Sequence, residues 1–200
     1  MKIYDISQEV FSSVVFPGDP APQKQTLCSM QDGSLYNLTA FSMCAHNGTH
    51  VDAPYHFISD GKTVDALLPE ATVGYAYVCH HDGVLYGSGA ETICHRARSI
   101  CQEASRRILL GGSTVVSEEA ARVFAEQGVL LVGNESQTVG PPDAPMAVHK
   151  ILLGQDIVLL EGIRLENVPD GVYLLSAAPL KLAGADGAPT RAMLIDLSDR

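Results

Sequence analysis

Residues 46–57 read HNGTHVDAPYHF and place three imidazoles and one carboxylate, His46, His50, Asp52 and His56, within eleven consecutive positions. Imidazole nitrogen and carboxylate oxygen without thiolate suit Zn, Mn, Fe(II) or Co rather than a structural cysteine-type zinc site, with zinc and manganese the leading candidates. A helix carrying His46 and His50 at i, i+4 is disfavoured. Gly48 and Pro54 break helices, and Thr49 and Val51 prefer extended backbone. On a strand, His50 and Asp52 share a face with Cα atoms about 6.6 Å apart, a spacing that suits two ligands on one cation. A straight strand would leave His46 about 13 Å and His56 about 20 Å from His50, so the chain must bend on both sides. Gly48 and Pro54 stand in those two intervals and can supply the bends. The competing reading is a polar loop whose histidines make ordinary hydrogen bonds. The matched parity and the well-placed breakers favour the metal.

Two more ligands are offered downstream, in VHKILLGQDIVLLEGI (148–163). His149 falls on a short helix candidate, APMAVHKILL, with Asp143 before it and Gly154 after it. Glu161 interrupts the apolar run Ile157, Val158, Leu159 and Leu160. A carboxylate inside a covered strand is costly unless it is paired or bound to a cation. Equally, Gly162 could end the strand and leave Glu161 facing water. His80, His81 and His95 have no such company and read as surface or helix-face residues.

The elements that must position these groups are mostly strands. KIYDISQEV alternates apolar and polar residues, and TLCSMQDGSLYNLTAFSM holds two such runs around Asp32 and Gly33, the pattern of a hairpin. GYAYVCHH, RRILLGG, VLLVGNES, DIVLLEGI, VYLLSAAPLKL and RAMLIDL are further strand candidates, several of them apolar throughout, as expected for strands covered on both faces. SEEAARVFAEQG is the clearest helix, with Ser117 as its cap and Gly128 as its stop; ETICHRARSICQEASRR also carries helical spacing. The expected fold is a mixed α/β domain spanning 1–200, with a barrel-like β core and helices outside it.

Composition narrows the function. Thirteen Lys plus Arg against 23 Asp plus Glu give a formal charge of -10, which would repel a phosphate backbone, so no nucleic-acid partner is expected. No apolar run approaches the roughly 18 residues needed to span a bilayer. A soluble, cytoplasmic chain without a membrane partner is the expectation. Five cysteines without a C-x-x-C pair read as reduced and mostly buried thiols.

With these residues in view, HNGTHVDAPYHF resembles the H-x-G-T-H-x-D-x-P-x-H signature of the cyclase-like metal-dependent hydrolases, the family that includes bacterial kynurenine formamidase and isatin hydrolase. The resemblance extends to YDIS and FPGDP near the start, to SEEAARVFAEQG followed by VLLVG, to HKILLGQDIVLLEGI, and to APLKL with DGAPTRAML near the end. It implies a swivelling β/β/α type of fold. It implies a metal site of His46, His50 and Asp52 completed by His149 and Glu161, with Asp52 able to bridge two cations, so that one or two ions bind. His56 would transfer protons, and the chain would form a homodimer or homotetramer whose pocket can borrow groups from a neighbour.

The implied reaction is hydrolysis of a carbon–nitrogen bond in a small amide or lactam. A cation lowers the pKa of bound water towards about 7 and polarises the carbonyl, while an imidazole of pKa near 6.5 moves the proton. N-formylkynurenine is the leading substrate, a lactam or lactone ring the alternative, and a non-catalytic metal-binding protein the third reading. Formamidases usually carry Trp at the position of Phe16, which can still stack on an aryl amine; this chain has no Trp. RILLGG lacks the Arg-Thr pair common at its place, and Asn134 stands where Asp is frequent. These departures bear on the substrate more than on the metal.

Overall fold

The computed structural model describes residues 1–197, so the last three residues of the expected 1–200 domain lie outside it. In chain order the strands are β1 (Lys2–Asp5), β2 (Gln23–Cys28), β3 (Leu38–Ser42), β4 (His50–Asp52), β5 (Val73–His80) and β6 (Gly83–Leu85). They continue as β7 (Arg107–Gly111), β8 (Thr114–Val116), β9 (Leu131–Asn134), β10 (Val158–Glu161), β11 (Gly171–Ser176), β12 (Gly187–Pro189) and β13 (Met193–Asp196). The helices are α1 (Pro69–Thr72), α2 (Gly87–Ile100), α3 (Glu118–Glu126) and α4 (Met146–Leu153).

Nine of the strands form one curled sheet in the order β1-β13-β11-β5-β7-β9-β10-β4-β12. Its middle, β5-β7-β9-β10, is parallel, and α2, α3 and α4 lie in the crossovers between those strands. The mixed α/β expectation is met. Parallel strands joined by helices are covered on both faces, which is why their sequences are apolar throughout. Ile108, Leu110, Val132 and Leu159 pack in one buried cluster with Phe124 and Leu152 of the helices. Leu109, Leu131, Val158 and Leu160 point the other way into a second cluster with Ile6, Val51 and Leu194. Glu161 follows by strand alternation on the face of Leu159, where α4 packs.

The helix signals hold where they are chemical and slip where they rest on periodicity alone. Ser117 Oγ accepts the Ala120 N–H at 3.2 Å, capping α3 as expected. α2 starts at Gly87, four residues ahead of the expected Glu91, because close packing overrides the low helix propensity of glycine: a Cβ at Gly89 would lie 2.7 Å from Leu85 Cδ1. It also ends at Ile100, and Ala104 continues the apolar spacing from a 3-10 turn. α4 forms without Asp143; Pro145 occupies its N-cap position with no side-chain bond. β11 ends at Ser176, short of Pro179, which has no N–H to give a ladder.

All five cysteines are free. Only Cys79 and Cys94 are buried, and burial pushes their thiols up to about 12 and about 11; Cys28, Cys44 and Cys101 are part-exposed, which corrects the expectation of mostly buried thiols.

Glycine is required at one position beside the candidate site. Gly162, with φ +69°, follows Glu161, and a Cβ there would collide with the Gly48 carbonyl and the Gln137 carboxamide. The Gly162 carbonyl accepts from Thr49 Oγ1 at 2.7 Å and Gln8 Nε2 at 2.8 Å, tying β10 to the start of β4. Gly162→Ala should therefore destabilise the fold by at least about 2 kcal/mol, from left-handed backbone strain plus overpacking. Urea unfolding reads this, and an unchanged midpoint would refute the close approach.

Candidate metal centre

Strand pairing brings the distant candidate ligands together. β4 lies between β10 and β12, so His50 sits directly opposite Glu161 and Asp52 opposite Gly187. His50, Asp52 and Glu161 share the helix-side face, onto which α4 lowers His149. The two expected bends are present. A turn with Gly48 at φ +65° precedes β4, and Pro54 opens a 3-10 turn that carries His56. Asn47 steadies the first bend: its N–H donates to the Cys44 carbonyl at 3.2 Å, and its Oδ1 accepts the Cys44 N–H at 2.8 Å. Gly187 leaves room for His46, whose Cε1 would lie 2.7 Å from a Cβ there.

His50, Asp52, His149 and Glu161 are all buried, and the reading of Glu161 as a solvent-facing strand end is overturned. His50 Nε2 lies 3.3 Å from Asp52 Oδ1 and 3.5 Å from Glu161 Oε2. His149 Nε2 lies 3.3 Å from Glu161 Oε1 and 3.7 Å from Asp52 Oδ2. Ligands bound tetrahedrally at about 2.0–2.1 Å stand roughly 3.3 Å apart, so these separations match the edges of a coordination polyhedron better than a set of short hydrogen bonds.

The surroundings support the same donor set. His50 Nδ1 faces the Gly48 carbonyl at 3.0 Å and His149 Nδ1 the Pro145 carbonyl at 2.9 Å. A carbonyl only accepts, so each Nδ1 carries a hydrogen and each Nε2 is turned inward, the usual outer arrangement around a metal-bound histidine once Nε2 has given up its proton. Asp52 Oδ2 is buried without any hydrogen-bond partner among the described residues, a costly state that a cation would relieve. Two donor sets meet at Asp52: His46, His50 and Asp52 form one, and Asp52, His149 and Glu161 the other, each with its ligand atoms within 4.8 Å of one another.

In the chain alone, protons stand in for the cation. Burial pulls the His46 and His50 imidazoles down, but the hydrogen bond and negative charge of Asp52 outweigh it and carry His46 up to about 9. Asp52 and Glu161 together carry His50 up to about 10. His149 is raised despite burial, chiefly by Glu161, and Asp52 is held well below the usual carboxylate range by His46 and His50. Two imidazoles charged at neutral pH must lose their protons to become ligands. Metal loading at pH 7.5 should therefore release on the order of two protons, and affinity should fall steeply as pH is lowered. Calorimetric titration in buffers of different ionisation enthalpy counts the protons; a count of zero would refute the exchange.

Sequence reasoning missed Asp186. It lies one residue before β12, and its Oδ2 is 2.9 Å from His46 Nε2 and 3.1 Å from His56 Nδ1. Burial raises its carboxyl, but the two imidazoles, His46 first, hold it below its ordinary value. His56 stacks at 4.1 Å between ring centroids on His46 and remains part-exposed. The only local hint was one carboxylate among small residues in AGADGAP.

A cavity of about 240 Å³ opens onto this cluster, with His46, His50, His56, His149 and Glu161 in its wall. Phe16 and Asp19 reach it from one turn, closed by the Asp19 N–H to the Phe16 carbonyl at 3.0 Å with Gly18 at φ +102°. Phe16 therefore stands in the wall of the cavity. Asn134 is buried and outside the cavity lining, its Nδ2 donating at 3.2 Å to the carbonyl of Thr138, which lines it.

Known proteins resemble the chain in sequence and in fold. A family described as "Putative cyclase" matches residues 4–141. A kynurenine formamidase of Salinibacter ruber is 35% identical over 213 residues, covering 100% of both chains. Another, from Bacillus cereus, is 33% identical over 205 residues, with 95% of each chain covered. The solved structure of isatin hydrolase A from Labrenzia aggregata superposes with a TM-score of 0.78 at 23% identity, over 96% of this chain and 93% of that one, a likeness of fold. The chain belongs to the cyclase family.

Proposed function

We propose that the chain is a metal-dependent amide hydrolase that cleaves the formamide of an aryl amine, N-formylkynurenine being the leading substrate. The observation that carries this reading is the Asp52 carboxylate, buried, shared by two sets of candidate ligand atoms and left with one oxygen unpartnered among the described residues, behind a cavity whose wall carries His46, His50, His149 and Glu161 of those sets and also His56. The names of the two relatives supply the substrate class. His46, His50, Asp52, His149 and Glu161 would hold zinc or manganese, as one ion or as two sharing Asp52. A cation held there supplies Lewis-acid chemistry, acidifying water and polarising the substrate carbonyl.

The chain's own groups do the rest. His56 takes a proton from the attacking water and delivers it to the leaving nitrogen as the carbon–nitrogen bond breaks, so water is divided between the acid and the amine. Asp186 accepts from His56 Nδ1, holding the ring with Nε2 free and stabilising the imidazolium when it forms. Phe16 stacks on the aryl ring.

The test is turnover of N-formylkynurenine by protein stripped with a chelator and then reconstituted with zinc or manganese. Activity should vanish on stripping and return with metal. No turnover by metal-loaded protein would refute the formamidase reading, and opening of a lactam ring by the same sample would replace it with the ring-hydrolase alternative.

A second copy of this chain is the proposed partner. The β2–β3 hairpin forms a sheet of its own, with Leu27, Met30, Leu35, Tyr36 and Phe41 exposed, and a groove of about 570 Å³ runs beside Phe41, Met43 and Leu180. An apolar patch of this kind marks an interaction surface. Sedimentation should give a dimer or tetramer, and an ideal monomer would contradict it. Among the described residues no helix is long and apolar enough to cross a membrane; cytoplasmic residence is the reading that fits.

A further inference from the structure

His80 ends β5, opposite Gly111 at the end of β7, outside the lining of the cavity at the candidate metal centre. Its ring lies on Gly111: a Cβ there would meet the imidazole Cδ2 at 2.5 Å. Nδ1 faces Asp170 Oδ1 at 2.8 Å, and Nε2 faces the Leu165 carbonyl at 3.2 Å. The His80 backbone N–H donates to the same Asp170 oxygen at 3.0 Å. Carboxylate and carbonyl oxygens only accept, so both ring bonds form together only when both nitrogens carry hydrogen, that is, in the imidazolium.

The two partners are the two ends of one turn. Residues 165–170 lead from β10 towards β11, and the Val168 N–H folds back to the Leu165 carbonyl at 2.8 Å. Leu165 is also tied from its other side. Its N–H donates to Glu135 Oε1 at 2.7 Å, while Glu135 Oε2 accepts the Gly112 N–H at 2.6 Å. Glu135 lines a cavity of about 240 Å³ whose wall shares Phe16, Gln137 and Thr138 with the cavity at the candidate metal centre. The charged groups facing the ring are Asp170 and Glu135; His81 and Asp82 follow it in the chain, with Asp82 bonded to Ser113. Arg164 turns instead to the Glu135 and Ile163 carbonyls. The Asp170 bond raises His80 above its ordinary 6.5 against the opposing effect of burial, and the Leu165 carbonyl adds to the rise. The side chain is 37% exposed, so its proton exchanges with solvent.

We infer that His80 is a proton-operated clasp on the turn 165–170. The imidazolium ties both ends of the turn to the end of β5. Loss of the proton leaves Nδ1–H on Asp170 and turns an Nε2 lone pair to the Leu165 carbonyl, which frees the end of the turn that is joined through Glu135 to the cavity wall. The clasp does not depend on what the cavity hydrolyses. Because the folded chain holds this proton more tightly than the unfolded one, the stability it contributes is fully present below about pH 6.5 and is lost as pH rises through the titration of folded His80.

The test is an NMR titration of the full chain. The His80 ring should titrate above 6.5, and in Asp170→Asn its midpoint should move back towards 6.5. Gly111→Ala, which pushes the ring off β7, should move it the same way. Protection of the Leu165 and Val168 amides from hydrogen exchange should fall by roughly tenfold as His80 loses its proton, and should be flat over the same range in His80→Gln, which cannot titrate. In urea unfolding, the excess stability of wild type over His80→Gln should be largest near about pH 6 and shrink as pH rises. A wild-type midpoint at or below 6.5 would overturn the clasp. So would amide protection that stays constant through a raised midpoint, because the proton would then be held without holding the turn.

Discussion

The Asp52→Asn protein should be isolated without stoichiometric metal and should hydrolyse its amide substrate at least about a thousandfold more slowly than wild type, the rate equivalent of several kcal/mol of lost charge stabilisation. Asp52 is the group shared by both candidate ligand sets: Oδ1 stands 2.8 Å from His46 Nδ1 and 3.3 Å from His50 Nε2, while Oδ2 points towards His149. Asparagine keeps the volume but removes the charge and turns an N–H towards the place a cation would take. Its β4 backbone pairs on both sides with β10 and β12, so the strand should persist. Two measurements distinguish the effect from misfolding: elemental analysis for metal, and circular dichroism for the fold. Full metal occupancy in a folded variant would remove Asp52 from the ligand set.

His56→Ala should behave in the opposite way, binding metal at wild-type stoichiometry while kcat falls by roughly 10²–10⁴, the usual range for loss of a positioned acid–base group. His56 stands outside the buried ligand cluster, at the cavity wall, and its Nδ1 partner is Asp186 rather than Asp52. Asp186→Asn should give a smaller loss of kcat. The double variant should be scarcely slower than His56→Ala alone, because two residues acting as one unit are not additive. Unchanged turnover in His56→Ala would end its assignment to proton transfer.

Much of this centre was legible in twelve residues. Parity put His50 and Asp52 on one face, and two helix breakers stood where the chain had to turn; the structure has both the β4 strand and the two bends. Such features are local, set by side-chain alternation and by the φ preferences of glycine and proline. Glu161 could not be decided in the same way. Whether it faced water depended on its strand pairing with one more than a hundred residues earlier, and a one-residue slip in that register would have turned it to the other face. Asp186 was harder still, since it acts from a loop whose place is set by β12 joining the edge of β4. Helix α2 shows the reverse error: its first turn contains two glycines that argue against helix, yet packing on Leu85 decides in its favour.

The most direct test of the central claim, that a divalent cation sits at Asp52 among buried histidines, is anomalous diffraction from crystals grown with zinc or manganese. The account predicts an anomalous peak within about 2.0–2.3 Å of Asp52 and of nitrogen or oxygen donors from His46, His50, His149 or Glu161. A peak elsewhere, or none in crystals of protein shown to be active and metal-loaded, would contradict it.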